Sequence, residues 1–281
     1  MKKLVLRTAL RRTRETAPIF DRAVTSARVD FDFVPLEPIT RAFPRMIRDL
    51  EFHLSEMALC TLAIARDYSR PIDALPVVLS GGYHHGSLRC PSGSFLREPA
   101  GLRDRTVGVR AWAQTTGVWV RGILSHEYDL PPQAMRWMTA EPSHVAEFSD
   151  PPFVQRSAPG KTLPAMFHAG EIDALIVAPG AEDHALRTVI PDAAAEGEAW
   201  GRRLGIYPVN HILCIQRALL AEHPWLAQEI VELFAAARPA DSRLAYAGES
   251  LQRSADLALT YTAEQGLTRQ SYSFADLCAA R

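Results

Sequence analysis

The chain has 281 residues, 47% of them hydrophobic and 22% charged, which excludes a wholly disordered chain and leaves room for two packed lobes of about 100 to 150 residues each. Its 31 basic and 32 acidic residues give a formal net charge of -1. That balance lacks the basic footprint of a protein that grips nucleic acid, so the expected partner is a small molecule.

The first twenty residues, MKKLVLRTALRRTRETAPIF, begin like a secretory leader. Arg7, and then Arg11, Arg12 and Arg14, cut the apolar stretch short of the roughly 7 to 15 residues that such a leader needs. No later segment approaches the roughly 18 apolar residues of a membrane span. The expectation is a cytoplasmic protein without membrane contact, and a homo-oligomer is compatible with all of this. Cys60, Cys90, Cys214 and Cys278 lack the spacing of redox or zinc motifs and are expected to be buried thiols.

KLVLRTAL reads as a first strand and VDFDFVPL, at 29–36, as a second by its strict alternation. ITRAFPRMIRDL reads as a helix interrupted near Pro44. FHLSEMALCTLAIARDY reads as a strand entering a long helix, with Ser55 as N-cap and Glu56 in the first turn. LPVVLSG and HGSLRC are further strands on either side of a corner at Gly81, Gly82, Tyr83, His84 and His85. The Pro-, Gly- and Ser-rich stretch from Cys90 to Arg103 suits a crossing between lobes.

TVGVR, the helix TTGVWVRGILSHEY, MRWMT and DALIVAP from Asp173 to Pro179 form a second βαβ set. The polar stretch from Glu141 to Lys161 is a loop, long enough to cover a site. IYPVNHILCI is another strand, and the chain from Arg217 to Arg281 reads as helical. Strands alternating with helices predict an α/β protein with a mostly parallel sheet. The expected division is a discontinuous first lobe, 1–95 and 210–281, with a second lobe, 96–209, inserted into it. Small ligands usually bind in the cleft that such an insertion creates.

Four stretches, SEMALC at 55–60, YHHGSLR at 83–89, TVGVRAWAQTTGVWVRGIL at 106–124 and YPVNHILCIQ at 207–216, resemble the 4,5-dihydroxyphthalate decarboxylase family in order and spacing. The resemblance implies a periplasmic-binding-protein type II fold, with two α/β lobes around a ligand cleft. It also implies loss of CO2 from a hydroxylated aromatic carboxylate without an obligatory organic cofactor. Carried over position by position, the family pattern falls on Ser55, Glu56, His85, Thr115, Trp119, Arg121, Gly122, Pro208 and His211. The chain departs from it in the basic loop at Arg11, Arg12 and Arg14, in Trp112 where a tyrosine is usual, and in Asn210 where an apolar residue is common.

Breaking an aryl carboxylate bond requires a proton at the ring carbon and cations for the carboxylates. His85 and His211, at strand ends near the expected crossings, are the candidate acid and base, with Glu56 as an orienting carboxylate. Each histidine has the alternative of a hydrogen-bonded strand end, and Glu56 that of a helix-dipole charge. Thr115 and Thr116 open a helix whose free N–H groups suit a carboxylate, although capping alone would explain both. Arg110 and Arg11 are candidate anion partners, while Ser55, Trp112 and Arg121 complete the expected substrate-binding set. Trp119 and Arg121, two apart on a helix, point to different faces. Arg121 has the alternative of bracing the lobe interface. Adjacent His84 and His85 make a poor chelating pair on a strand, and although His85, His211 and Glu56 together would be acceptable ligands for zinc or iron, nothing in the sequence calls for a metal, so no metal site is expected. The main alternative function is a solute-binding protein for a small aromatic or carboxylate ligand. The motifs of the chorismate dehydratase group, another enzyme family of this fold, are not seen.

Overall fold

Five apolar runs form the first sheet: β1 Leu4–Ala9, β2 Val29–Phe33, β3 Leu54–Ala58, β4 Ile72–Gly81 and β11 Val209–Gln216, in the order β2-β1-β3-β11-β4. β1 runs parallel to β2 and β3, whereas β11 lies antiparallel between β3 and β4. The second sheet contains β5 Leu88–Pro91, β6 Thr106–Val109, β7 Arg136–Thr139, β8 Val154–Arg156, β9 Ala174–Ile176 and β10 Leu186–Thr188, ordered β10-β5-β9-β6-β7-β8. The computed structural model describes residues 2–177, 185–244 and 248–278. Ala178 and Pro179, read from sequence as the end of a strand, lie outside the described residues.

The helices are α1 Ala17–Phe20, α2 Ala42–Asp49, α3 Leu59–Asp67, α4 Thr115–Tyr128, α5 Leu163–His168, α6 Ala193–Leu204, α7 Arg217–Glu222, α8 Leu226–Ala237, α9 Glu249–Glu264 and α10 Phe274–Leu277. No helix among the described residues is long and apolar enough to cross a membrane. On one face of the first sheet, Leu6, Leu54, Leu75 and Leu213 pack against Leu226, Ile230 and Phe234 of α8. A second core holds residues of α3, α4 and α9 and runs unbroken from one lobe into the other. α4 is its axis: every residue from Thr115 to Leu124 is buried, so this stretch has no polar face, and only the last turn, with His126 and Glu127, is exposed.

Three local readings need correction. Ser55 and Glu56 lie within β3 rather than at a helix start, and α3 begins only at Leu59. Pro44 does not interrupt its helix, because it is the third residue of α2, in the first turn, where backbone N–H groups have no intrahelical acceptor. β5 already pairs in the second sheet, so the outward crossing falls at 82–87, before the stretch at 90–103 to which composition assigned it. Cys60, Cys90 and Cys214 are buried thiols.

Candidate active site

The carboxyl ends of β1, β3, β6 and β7 and the start of β11 face one cleft, as expected for ligand sites in open α/β sheets. A cavity of about 430 Å³ lies there. It is walled by Arg11 after β1, Phe43 on α2, Thr61 on α3, and Ser80 and His84 at the end of β4. From the second lobe come Arg110, Gln114, Thr115, Thr116, Ser143 and His144, and Asn210 and His211 open β11. Its size suits a single substituted ring.

The first turns of α3 and α4 both border the cavity, through Ala58 and Thr61 and through Gln114, Thr115 and Thr116. Thr115 Oγ1 accepts a hydrogen bond from Cys60 N at 3.2 Å, so this threonine caps the facing helix across the lobes. Two helix N-termini and two guanidinium groups therefore meet a cavity that, among the described residues, no Asp or Glu side chain lines. That electrostatic setting favours an anion.

Glu56 stands behind this wall, buried to 1% exposure. Its Oε1 lies 2.6 Å from His211 Nδ1 and 2.6 Å from Arg11 Nη2, and Arg11 Nε donates to the same oxygen at 3.0 Å. Burial alone would push the carboxyl pKa up, but the hydrogen bonds and charges of His211 and Arg11 hold it below the usual carboxylate range. With Nδ1 occupied, Nε2 is the His211 nitrogen left for a ligand. The loop carrying Arg11 is pinned by Thr16, whose hydroxyl donates to Arg11 O at 2.7 Å and accepts from Thr13 N at 2.8 Å.

Phe43 sits between two histidines, edge-on to His211 and to His144, each 5.3 Å away between ring centres. His144 lies in the long polar loop after β7, which reaches the other lobe. Arg48 of α2 donates to His144 O at 3.0 Å, and Arg70 pairs with Glu147. The loop thus walls the cavity, in keeping with its length.

Several expected site residues lie elsewhere. His85 is buried against Trp200, 5.3 Å between ring centres, and it is His84 that lines the cavity. Residues 85–87 form a single helical turn, so strand alternation was the wrong guide at this corner. Ser55 is buried in β3 and donates to the Glu56 carbonyl at 2.8 Å. Arg121 is fully buried beneath the cleft: Nε donates to Gln265 Oε1 at 2.6 Å, Nη2 to Trp112 O at 2.7 Å, and the guanidinium stacks 3.7 Å from the Trp112 ring. Trp112 in turn packs edge-on to Trp137, so both residues serve the core. Trp119 donates to Val209 O at 2.8 Å and fixes the entry to β11. Of the basic loop only Arg11 reaches the cavity, while Arg12 and Arg14 are exposed and pair with Asp21 and Asp241. Arg110 lines the cavity and pairs with Glu141 at 2.5 Å.

Sequence reasoning missed His84, His144 and Asn210. A histidine two residues after Pro142 in an overlong loop was the one available signal for His144. Burial lowers the His84 pKa to about 3, with the neighbouring His85 and His211 rings adding to the effect, and lowers that of His144 to about 4, with Arg110 and Arg48 adding to it. Among the described residues no group of three or more His, Cys, Asp or Glu side chains is placed to hold a metal ion.

Two α/β lobes, joined by crossings above an anion-suited cleft, define a periplasmic-binding-protein fold. The chain is similar in structure to the periplasmic aliphatic sulphonate binding protein SsuA of Escherichia coli, with a TM-score of 0.65 and 10% identity over 99% of this chain and 93% of that one. Another likeness is to the alkanesulfonate-binding protein SsuA of Xanthomonas axonopodis pv. citri bound to MOPS, with a TM-score of 0.64 and 12% identity over 99% of each chain. The desulfurization enzyme DSZB shares the fold with a TM-score of 0.53 and 14% identity, over 99% of this chain and 96% of that one.

In sequence the chain is 26% identical to a 4,5-dihydroxyphthalate decarboxylase of Comamonas testosteroni, across 83% of this chain and 74% of the relative. It is 25% identical to one of Pseudomonas putida, across 63% and 71%. No family model matches the chain. The resemblance to the 4,5-dihydroxyphthalate decarboxylase family, read from four stretches, therefore extends along most of the chain.

Proposed function

We propose that the protein is a carbon–carbon lyase that releases CO2 from a hydroxylated aromatic carboxylate resembling 4,5-dihydroxyphthalate. The observation that carries this reading is the Glu56–His211 pair at the wall of an anion-suited cavity. The names of the two relatives supply the reaction class.

In the reaction, protonated His211 donates from Nε2 to the ring carbon that bears the carboxylate. The carbon–carbon bond then breaks, its electron pair restores the aromatic ring, and CO2 departs, so that one proton replaces one carboxylate. Glu56 fixes the imidazole and stabilises its cationic form, as a buried carboxylate does behind a general acid. Arg11, Arg110 and the first turns of α3 and α4 hold the carboxylates. The reaction as drawn uses no organic cofactor.

The solute-binding relatives in structure favour a second reading, in which the same cleft captures an aromatic anion without turning it over. Incubation with a panel of hydroxylated phthalates and benzoates, following CO2, separates the two. Release supports the lyase, and tight binding with full recovery of ligand supports the receptor.

A further inference from the structure

β11 begins with an irregularity that decides what faces the cavity. Val209 pairs with Gly81 and His211 with Ser80, so Asn210 has no partner residue in β4 and forms a bulge. In a regular strand Asn210 and His211 would face opposite sides of the sheet. Here both line the cavity.

The bulge is held from three directions. Trp119 Nε1 donates to Val209 O at 2.8 Å, Ser254 Oγ accepts from Val209 N at 3.2 Å, and Gly82 N donates to Pro208 O at 3.0 Å. A side chain at Gly81 would come within 2.5 Å of that same carbonyl, so glycine is required for the approach. A bulge fixed this firmly aims its side chain at a set place.

What it aims is an acceptor without a donor. Asn210 Oδ1 is buried and has no hydrogen-bond partner among the described residues. The same is true of both ring nitrogens of His84, which lines the same cavity, exposes 0% of its surface and stacks on Trp119 with 6.2 Å between ring centres. Buried polar atoms are rarely left unpaired without a functional reason. The arginines and helix N-termini of this site supply donors for an anion, but they leave these atoms unmatched. A group that both donates and accepts a hydrogen bond would match the Asn210 oxygen and the two His84 nitrogens.

We propose that His84 and Asn210 are specificity-determining residues that hydrogen-bond ring hydroxyl groups of the substrate. This inference rests on the lyase reading of the same cavity. Asn210 Oδ1 accepts from a hydroxyl, and the neutral His84 ring offers one acceptor and one donor. Burial that keeps His84 uncharged keeps it a hydroxyl partner rather than a carboxylate partner. A ligand with carboxylates alone would leave these buried atoms unpaired, which is the usual basis for rejecting an analogue that lacks a hydroxyl.

The test compares phthalate with 4,5-dihydroxyphthalate by calorimetric Kd in a His211→Asn background, where recovery of intact ligand is checked. In that background the hydroxyls are expected to raise affinity about 10-fold or more. Adding His84→Phe, which keeps the stacking on Trp119, or Asn210→Leu is expected to cut that gain to under about 3-fold while phthalate binding stays unchanged. His84→Leu, which also removes both ring nitrogens but is smaller than phenylalanine, is expected to cut the gain likewise and carries the histidine arm if the phenylalanine variant does not fold. If both ligands bind and the gain survives in all these variants, the inference is overturned while the lyase reading stands. If neither ligand binds, the reading and the inference fall together.

Discussion

Glu56 Oε1 and His211 Nδ1 are 2.6 Å apart, joining two strands whose residues are 155 positions apart in sequence. The pair exists because β11 inserts antiparallel beside β3, with His211 opposite Ala58 and Leu213 opposite Glu56. Glu56→Gln keeps the size but removes the charged partner of His211 Nδ1. We expect kcat to fall by about 10²-fold or more with KM changing little, measured by steady-state CO2 release.

Acid should destabilise the protein in two stages. His84, His85 and His144 are held neutral by burial, with pKa values lowered from 6.5 to about 3, about 4 and about 4. As pH falls below 6.5 the unfolded chain takes up protons that the folded chain refuses, so stability present above 6.5 declines through this window. The lowered Glu56 pKa adds a stabilisation that is present above 4.5 and is lost as pH falls through its folded value. Urea midpoints should therefore drop from pH 7 to pH 5 and again below 4.5, the second loss being smaller in Glu56→Gln. A flat profile would contradict the assignment.

His85 and His84 should separate cleanly. His85 packs beside Trp200 and Gly197, outside the cavity, and its burial is a matter of packing. His85→Gln should change kcat/KM by less than about 3-fold while shifting stability by about 1 kcal/mol, as ordinary core substitutions do. Thermal melting and steady-state kinetics on the same preparation check this.

The axis helix should be the structurally least tolerant part of the second lobe. A Cβ on Gly122 would come within 2.0 Å of the Tyr261 ring of α9, which is itself buried and edge-on to Trp119. Gly122→Ala should destabilise by about 2 kcal/mol or more. Arg121→Lys, which loses the forked contacts to Gln265 and Trp112, should destabilise by a similar amount. Both effects should appear in urea unfolding.

β1, β2 and β11 were legible because apolar, β-branched runs report burial directly, whereas the three-residue β8, inside the stretch read as a loop, and β10 are too short to leave such a pattern. Glu56, His211, Arg11, Arg110, Thr115 and Thr116 came to one place as expected. His85, Ser55, Trp112 and Arg121 did not, for two physical reasons. A single turn at 85–87 rotates the YHHG corner by one residue, and nothing in composition fixes such a rotation. Buried arginine and tryptophan in a motif can equally serve a site or its foundation, and only the partners of Arg121 decide which. Asn210 was illegible because a bulge depends on pairing with β4, which sequence alternation within β11 cannot report.

Delivery of a proton to a ring carbon as CO2 leaves can be followed by supplying 4,5-dihydroxyphthalate, labelled with ¹³C in its carboxylates, to the protein in D2O and reading the products by NMR. Labelled CO2 and one deuterium on the vacated ring carbon of the product are expected, with both lost in His211→Asn. Tight binding with the labelled ligand recovered intact, or undiminished CO2 release from folded His211→Asn, would contradict it.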